Sequence, residues 1–167
     1  MVTTFLNSPQ LLQFFEAHTE RGKPGLIDDP EYVKISDYFR NLSGNDPTIK
    51  SVFFSSAKTS EYFYEPGING VEESGPNAGD PNHGYFSTKR PWWKEAVGID
   101  RIYTGVPSMD IVDGTVSTVI QTTVKNSRGN LLGVGGMDII IGTVIHIVSK
   151  VKFQDQGQAF LIANTGE

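Results

Sequence analysis

The stretch that decides the fold is Thr115-Val116-Ser117-Thr118-Val119-Ile120-Gln121-Thr122-Thr123-Val124-Lys125, followed by Asn126-Ser127-Arg128-Gly129-Asn130 and then Leu131-Leu132-Gly133-Val134-Gly135-Gly136-Met137. The first run is rich in β-branched residues, the second is apolar and glycine-rich, and the five residues between them make a turn-rich connection. This pattern reads as two long antiparallel strands joined by a hairpin connection. The glycines at 133, 135 and 136 stand inside a strand pattern, so they read as sites of close backbone packing rather than as a phosphate loop.

Working outward, the residues upstream change period. Ile49–Ser56 and Glu61–Tyr64 read as two further antiparallel strands joined by Ala57-Lys58-Thr59-Ser60, and Arg101–Thr104 as another. Before them stand two helical patterns. Ser8-Pro9 sets the first, with Leu11, Leu12, Phe14 and Phe15 on its apolar face and Gly22 at its end. Asp29-Pro30 sets the second, with Tyr32, Ile35, Phe39 and Leu42 at helical spacing and Gly44 closing it. After the hairpin, Asp138 is expected to cap a helix over 139–150, with Ile141, Val144, Ile145 and Val148 on one face. A final strand is expected over 158–163. Helices, then an antiparallel sheet, then a helix predict an α+β fold.

Composition bounds the function. The 167 residues suit one domain with a real core. A net charge of -5 and no basic run exclude a general nucleic-acid binder. No stretch of about twenty apolar residues is present to span a bilayer. No signal peptide is evident, and the ends at Met1-Val2-Thr3 and Thr165-Gly166-Glu167 predict a piece of a longer protein. The chain has no cysteine, so disulfides and thiolate metal sites are excluded. His18, His83 and His146 lack metal-site spacing, and no nucleophile elbow, Walker loop or zinc-protease helix occurs. Neither a metal nor a cofactor is expected.

The chemistry concentrates in Tyr85-Phe86-Ser87-Thr88-Lys89-Arg90-Pro91-Trp92-Trp93-Lys94-Glu95-Ala96, which holds both tryptophans. It follows a long Gly-, Pro- and Asn-rich loop over 66–84, of a length often tied to function. Pro91 opens a short helix through Val97. An arginine fork beside a locked backbone and two indole N–H donors suits a small anion such as a carboxylate. The plainer reading makes one tryptophan a core anchor and Arg90 a surface ion-pair partner. Asp138 could hold an ammonium group or only cap its helix. Tyr85 could aim its hydroxyl at the same ligand or be an ordinary loop tyrosine.

These motifs in combination resemble the Cache sensor domains, in particular the membrane-distal, PAS-like module of a double Cache domain from a prokaryotic chemoreceptor, sensor histidine kinase or cyclic-dinucleotide signalling protein. The resemblance rests on Arg90-Pro91-Trp92-Trp93, Tyr103-Thr104-Gly105-Val106-Pro107, the strand Val116–Lys125, the run Gly129–Asp138 and Gly157-Gln158-Ala159-Phe160-Leu161. It implies an antiparallel sheet flanked by helices. It divides the chain into an N-terminal helical segment (1–48), the distal module (49–153) and the start of a proximal module (154–167). In the amino-acid-binding branch, an arginine and the tryptophan two residues on hold the ligand carboxylate, while a tyrosine and an aspartate hold its amine. Arg90, Trp92, Tyr85 and Asp138 are similar to those four. Trp93 and Ser108 stand at pocket positions where tyrosine is common.

The resemblance implies an extracytoplasmic domain that binds a small carboxylate, amino acid or amine and belongs to a membrane-anchored signal transducer, open to homodimer formation. It implies no catalysis by this domain. Two other readings stand beside it: a small hydrolase using Asp138 or His83, and a structural or interaction module whose pocket is filled by side chains.

Overall fold

The computed structural model describes residues 2–109 and 114–142 together with Val148. Among them run four α-helices and seven strands: α1 (Val2–Leu6), α2 (Pro9–Ala17), α3 (Pro30–Asn45), β1 (Ile49–Ser56), β2 (Tyr62–Tyr64), β3 (Gly67–Asn69), α4 (Pro91–Ile99), β4 (Tyr103–Thr104), β5 (Ser108–Met109), β6 (Val116–Lys125) and β7 (Leu131–Ile140). The strands form one antiparallel sheet in the order β3-β2-β1-β7-β6-β4, with β5 also paired to β6. The expected α+β architecture is therefore present.

The long hairpin is the frame. β6 and β7 pair from Ser117↔Ile140 to Lys125↔Leu131, and β7 pairs on its other side with β1 from Ile49↔Ile139 to Ser56↔Gly133. Opposed residues share a face and alternate residues point to opposite faces. Val52, Phe54, Ile120 and Met137 thus face one way, and Phe53, Val134, Gly136 and Gln121 the other. On the first face lie α1, α2 and α3, whose Phe5, Leu6, Leu11, Phe15, Ile35 and Phe39 join Val52, Phe54 and Met137 in the main core. Gly135 makes room for this layer, because a Cβ there would lie 2.2 Å from Leu6 Cδ2. On the second face α4 packs Trp93 and Ala96 against Val134 in a smaller cluster.

The start signals act as expected at α3, whereas Gly44, expected to close it, lies inside the helix, which runs to Asn45. Asp29 Oδ1 accepts from the Glu31 backbone N–H at 3.0 Å, and Pro30 takes the first turn. At α2, Pro9 sets the start, whereas the Ser8 side chain makes no capping bond. That helix stops at Ala17, short of the expected Gly22, because His18 turns extended to reach a buried partner. The loop over 66–84 is not wholly irregular, since Gly67–Asn69 adds β3 against β2. α1 and β5 were not foreseen.

One expectation is overturned. Asp138 caps no helix. It lies inside β7, opposite Ser51 on β1 and Val119 on β6. The β-branched Ile139 and Ile140 suit a strand as well as a helix. Pairing of Ile139 with Thr118 and Ile49, and the bond from Ile140 N–H to Thr48 O at 2.8 Å, extend the ladder. The remainder of the expected helix over 139–150, apart from Ile141, Gly142 and Val148, lies outside the described residues. So do His146, the strand expected over 158–163 and the segment 154–167.

Candidate functional site

The face of the sheet beneath α4 carries an unusual density of rings. Gly136 occupies its centre, where a Cβ would come within 2.5 Å of Ile120 O, 2.8 Å of Gln121 Cβ and 2.9 Å of the Phe53 ring. With no side chain at that point, Phe53 on one flank and Gln121 on the other form a floor. Tyr62 stacks on Phe53 with centroids 5.1 Å apart. Trp92, from the first turn of α4, meets Phe53 and Tyr62 edge to face at 5.9 and 6.0 Å. Tyr85 meets Tyr62 at 6.2 Å, and the Arg90 guanidinium lies 4.9 Å from the Tyr85 ring centroid. On the far flank Gln121 Nε2 donates to the Tyr103 hydroxyl at 2.5 Å.

Tyr85, Arg90 and Trp92 are therefore brought together. Arg90 is exposed at the rim, and among the described residues its guanidinium meets a ring but no carboxylate. Asp138 lies on the same face as Gly136, one alternation along β7. Burial, followed by the negative charge of Asp138 and then by Tyr85, Glu65 and Tyr64, pushes the Tyr62 phenol well above its ordinary range. Tyr62 thus stays a protonated donor, and Asp138 reaches the ring cluster electrostatically.

Two predicted residues stand elsewhere. Trp93 is only 6% exposed and anchors α4 in the small core with Ala96 and Val134. Its ring meets that of Trp92 at 6.0 Å, and Tyr103 packs against the same cluster. Ser108 is exposed on β5, opposite Ser117, at the sheet's edge. Its register places it on the face of Asp138, since Ser117 in turn opposes Ile140. His83 faces Asp80 at 3.6 Å, both half-exposed on the loop.

Several further residues of this face escaped the sequence reading: Phe53, Tyr62, Gln121 and Tyr103. Strict alternation could have found the first two. Val52, Phe54 and Phe63 are the core set, so Phe53, Tyr62 and Tyr64 had to point to the other side of the sheet.

The elements that hold α4 over this face are specific. At its start Ser87 bonds the Ser55 hydroxyl of β1 and the Ser60 carbonyl. At its end Asp100, in the left-handed region at φ 48°, accepts from Thr123 Oγ1 at 2.5 Å and Lys125 Nζ at 2.6 Å on β6. Both ends of the helix that carries Trp92 are thus tied to the sheet.

No family model matches the chain. Two curated relatives do. The methyl-accepting chemotaxis protein McpA of Pseudomonas putida is 35% identical over 100 residues, covering 59% of this chain and 15% of that protein. McpG of the same organism is 22% identical over 135 residues, covering 80% and 21%. Among solved structures, the ligand-binding domain of the Pseudomonas aeruginosa amino-acid chemoreceptor PctC, in complex with GABA, superposes with a TM-score of 0.65 at 21% identity, over 98% of this chain and 62% of that one. The corresponding domain of Pseudomonas aeruginosa PctB with L-Gln gives 0.58 at 19%, over 99% and 60%. That of Pseudomonas fluorescens CtaA with L-serine gives 0.56 at 22%, over 99% and 63%. The chain thus spans about a fifth or less of its curated relatives and about three-fifths of the solved domains. Its fold is that of chemoreceptor ligand-binding domains, in agreement with the Cache resemblance.

Proposed function

We propose, from a chain that shares the Cache sensor fold with chemoreceptor ligand-binding domains, that it is the small-molecule-sensing part of a membrane-anchored signal transducer, placed outside the cytoplasm. The ligand is an amino acid or a similar compound with a carboxylate and an amine. The observation that carries this reading is the meeting of Arg90, Tyr85 and Trp92 over the Phe53–Tyr62 floor, with Asp138 on the same face. The rim then holds a cation and the floor holds an anion, with rings between them. A zwitterion laid across the face meets opposite charges at its two ends. Tyr62, held protonated, and the Trp92 indole add donors but no charge.

Signalling follows by population shift. The guanidinium at the rim and the carboxylate on β7 sit on different elements, α4's entrance and the sheet. A ligand that bridges them binds better when the two are drawn together, and only such a difference in affinity can move a conformational equilibrium. The domain itself binds and does not turn over its ligand.

Titration calorimetry with GABA and the standard L-amino acids tests the reading. At least one compound should bind, and Arg90→Ala should weaken it by about 1.5–3 kcal/mol, as for a lost hydrogen bond to a charged group. The melting temperature should stay near wild type, because Arg90 is exposed. Failure of every compound to bind, or undiminished affinity in the variant, would overturn it.

A further inference from the structure

Far from the ring cluster in sequence, Arg21 follows α2 and reaches across to the loop that precedes α4. Its Nε donates to Pro81 O at 2.9 Å, Nη1 to Thr59 O at 3.1 Å, and Nη2 to His83 O at 3.1 Å and Tyr85 O at 2.9 Å. The guanidinium carbon also lies 3.9 Å from the centroid of the Phe86 ring, against which Lys89 Nζ packs at 4.0 Å. One side chain therefore gathers three backbone carbonyls and one ring from the segment that delivers Tyr85 and Arg90, and a fourth carbonyl, Thr59 O, from the connection between β1 and β2.

The fork is itself held from behind. Glu61 Oε1 accepts from the Gly22 N–H at 2.8 Å, and Oε2 meets His18 Nε2 at 2.6 Å, with both side chains of that pair 2% exposed. Glu61 therefore grips the residues on either side of Arg21 and sets its negative charge near the guanidinium. Gly22 has φ 67°, and a Cβ there would lie 2.7 Å from Val71 Cγ2, so the turn that presents Arg21 sits tightly on the loop. The loop closes equally tightly at its other end. Tyr85 N–H donates to Gly70 O at 2.7 Å, and a Cβ on Gly84 would come within 2.2 Å of the same oxygen.

We infer that Arg21 is a positioning residue for the ligand site: it latches the loop over 66–85 to the N-terminal helices and so fixes Tyr85 and the entrance of α4 in the geometry that receives a ligand. The latch rests on the proposed ligand face only for its purpose. Its mechanical part, the order of the loop, stands independently of any ligand. Lysine cannot replace the fork, since a single ammonium cannot reach four carbonyls spread around a planar guanidinium.

The test uses Arg21→Lys, with Phe86→Leu as a second variant that removes the stacked ring but keeps an apolar side chain. Hydrogen exchange is read at the Tyr85, Ser87 and Arg90 amides, which donate to Gly70 O, Ser60 O and Ser87 O. Calorimetry with GABA and the L-amino acids is read in parallel. The expected result is faster exchange at those three amides with unchanged exchange along β6 and β7. Affinity should fall about tenfold, as when the competent loop is populated about a tenth of the time. Unchanged loop exchange in Arg21→Lys would overturn the latch. So would uniform loss of protection through the sheet, which would make Arg21 a general stabiliser. Loosened loop amides with full affinity would overturn its role at the site. If the wild type binds none of the compounds, the ligand reading fails, while the exchange data still decide the latch.

Discussion

Asp138 shows most clearly what a single residue owes to its surroundings. In isolation it has the look of a helix cap, an aspartate before an apolar run. In the folded chain it is a strand residue between Ser51 and Val119, on the face that carries Phe53 and Gly136. Its charge is one of the causes that hold the Tyr62 phenol protonated, after burial itself. Its place on that face, beside the rings, is the ground on which it is proposed as the acceptor of a ligand's ammonium group. Asp138→Asn keeps the shape and removes the charge. Affinity for amine-bearing ligands should fall by about 1.5–3 kcal/mol, while carboxylates without an amine should bind as before. Calorimetry with matched pairs, such as GABA and butyrate, checks the difference; an equal loss for both compounds would count against the role. The Arg90 side was easier to read, because Arg-Pro-Trp-Trp packs its chemistry into adjacent positions. The Asp138 role came from the family likeness, and its local structure was misread because the two isoleucines after it satisfy either period. Trp93 could not be assigned by sequence, since which of two neighbouring indoles turns inward depends on where α4 lands on Val134.

At the scale of elements, β7 is the central object, with β1 on one side and β6 on the other. Its glycines set both layers. Gly135 admits Leu6 of α1 on the core face, and Gly136 leaves the opposite face open beneath Trp92. Gly136→Ala would drive a methyl group against the Ile120 carbonyl and the Phe53 ring. Such overpacking should destabilise the domain by about 1–3 kcal/mol, read as a lower urea midpoint at unchanged slope, and should also narrow the ligand face. β1 and β6 were legible because each is long and rich in β-branched or aromatic residues, and the first part of β7 because it follows a turn-rich connection. The short strands β3 and β5 were not, because two or three residues hold no period and exist only through their neighbours β2 and β6. α1 is a single turn and a half, and its Val2, Phe5 and Leu6 are helical because the core receives them.

For the whole molecule, a buried pair of titratable side chains, His18 and Glu61, joins the end of α2 to the start of β2. Burial pushes the Glu61 carboxyl up, but hydrogen bonds from His18 and the Gly22 N–H outweigh it, and the net shift is downward. A carboxylate with a depressed folded-state pKa adds stability that is complete above its ordinary range and is lost as pH falls through the folded value. The domain should therefore lose stability on the acid side, and Glu61→Gln should flatten that dependence. Urea midpoints measured from neutral pH downward for both proteins check this. Parallel curves would show that Glu61 contributes nothing to it. Subtracting one curve from the other removes the exposed aspartates, whose pKa values are also lowered.

The strand order has a consequence for how the chain reaches this state. β1 lies early in the sequence and β7 late, yet they are neighbours at the middle of the sheet, with Ile49 against Ile139 and Ser56 against Gly133. The hairpin β6–β7 can form locally, but β1 has no central partner until β7 exists. Contacts of such long sequence separation slow folding toward the range of about milliseconds to seconds. During synthesis the first half leaves the ribosome with one edge of β1 bare, and the apolar faces of α2 and α3 have only half a core to cover. An unpaired edge of this kind invites association with other chains. The unfolded chain is thus most open to association with other chains for as long as β1 and β7 remain unpaired.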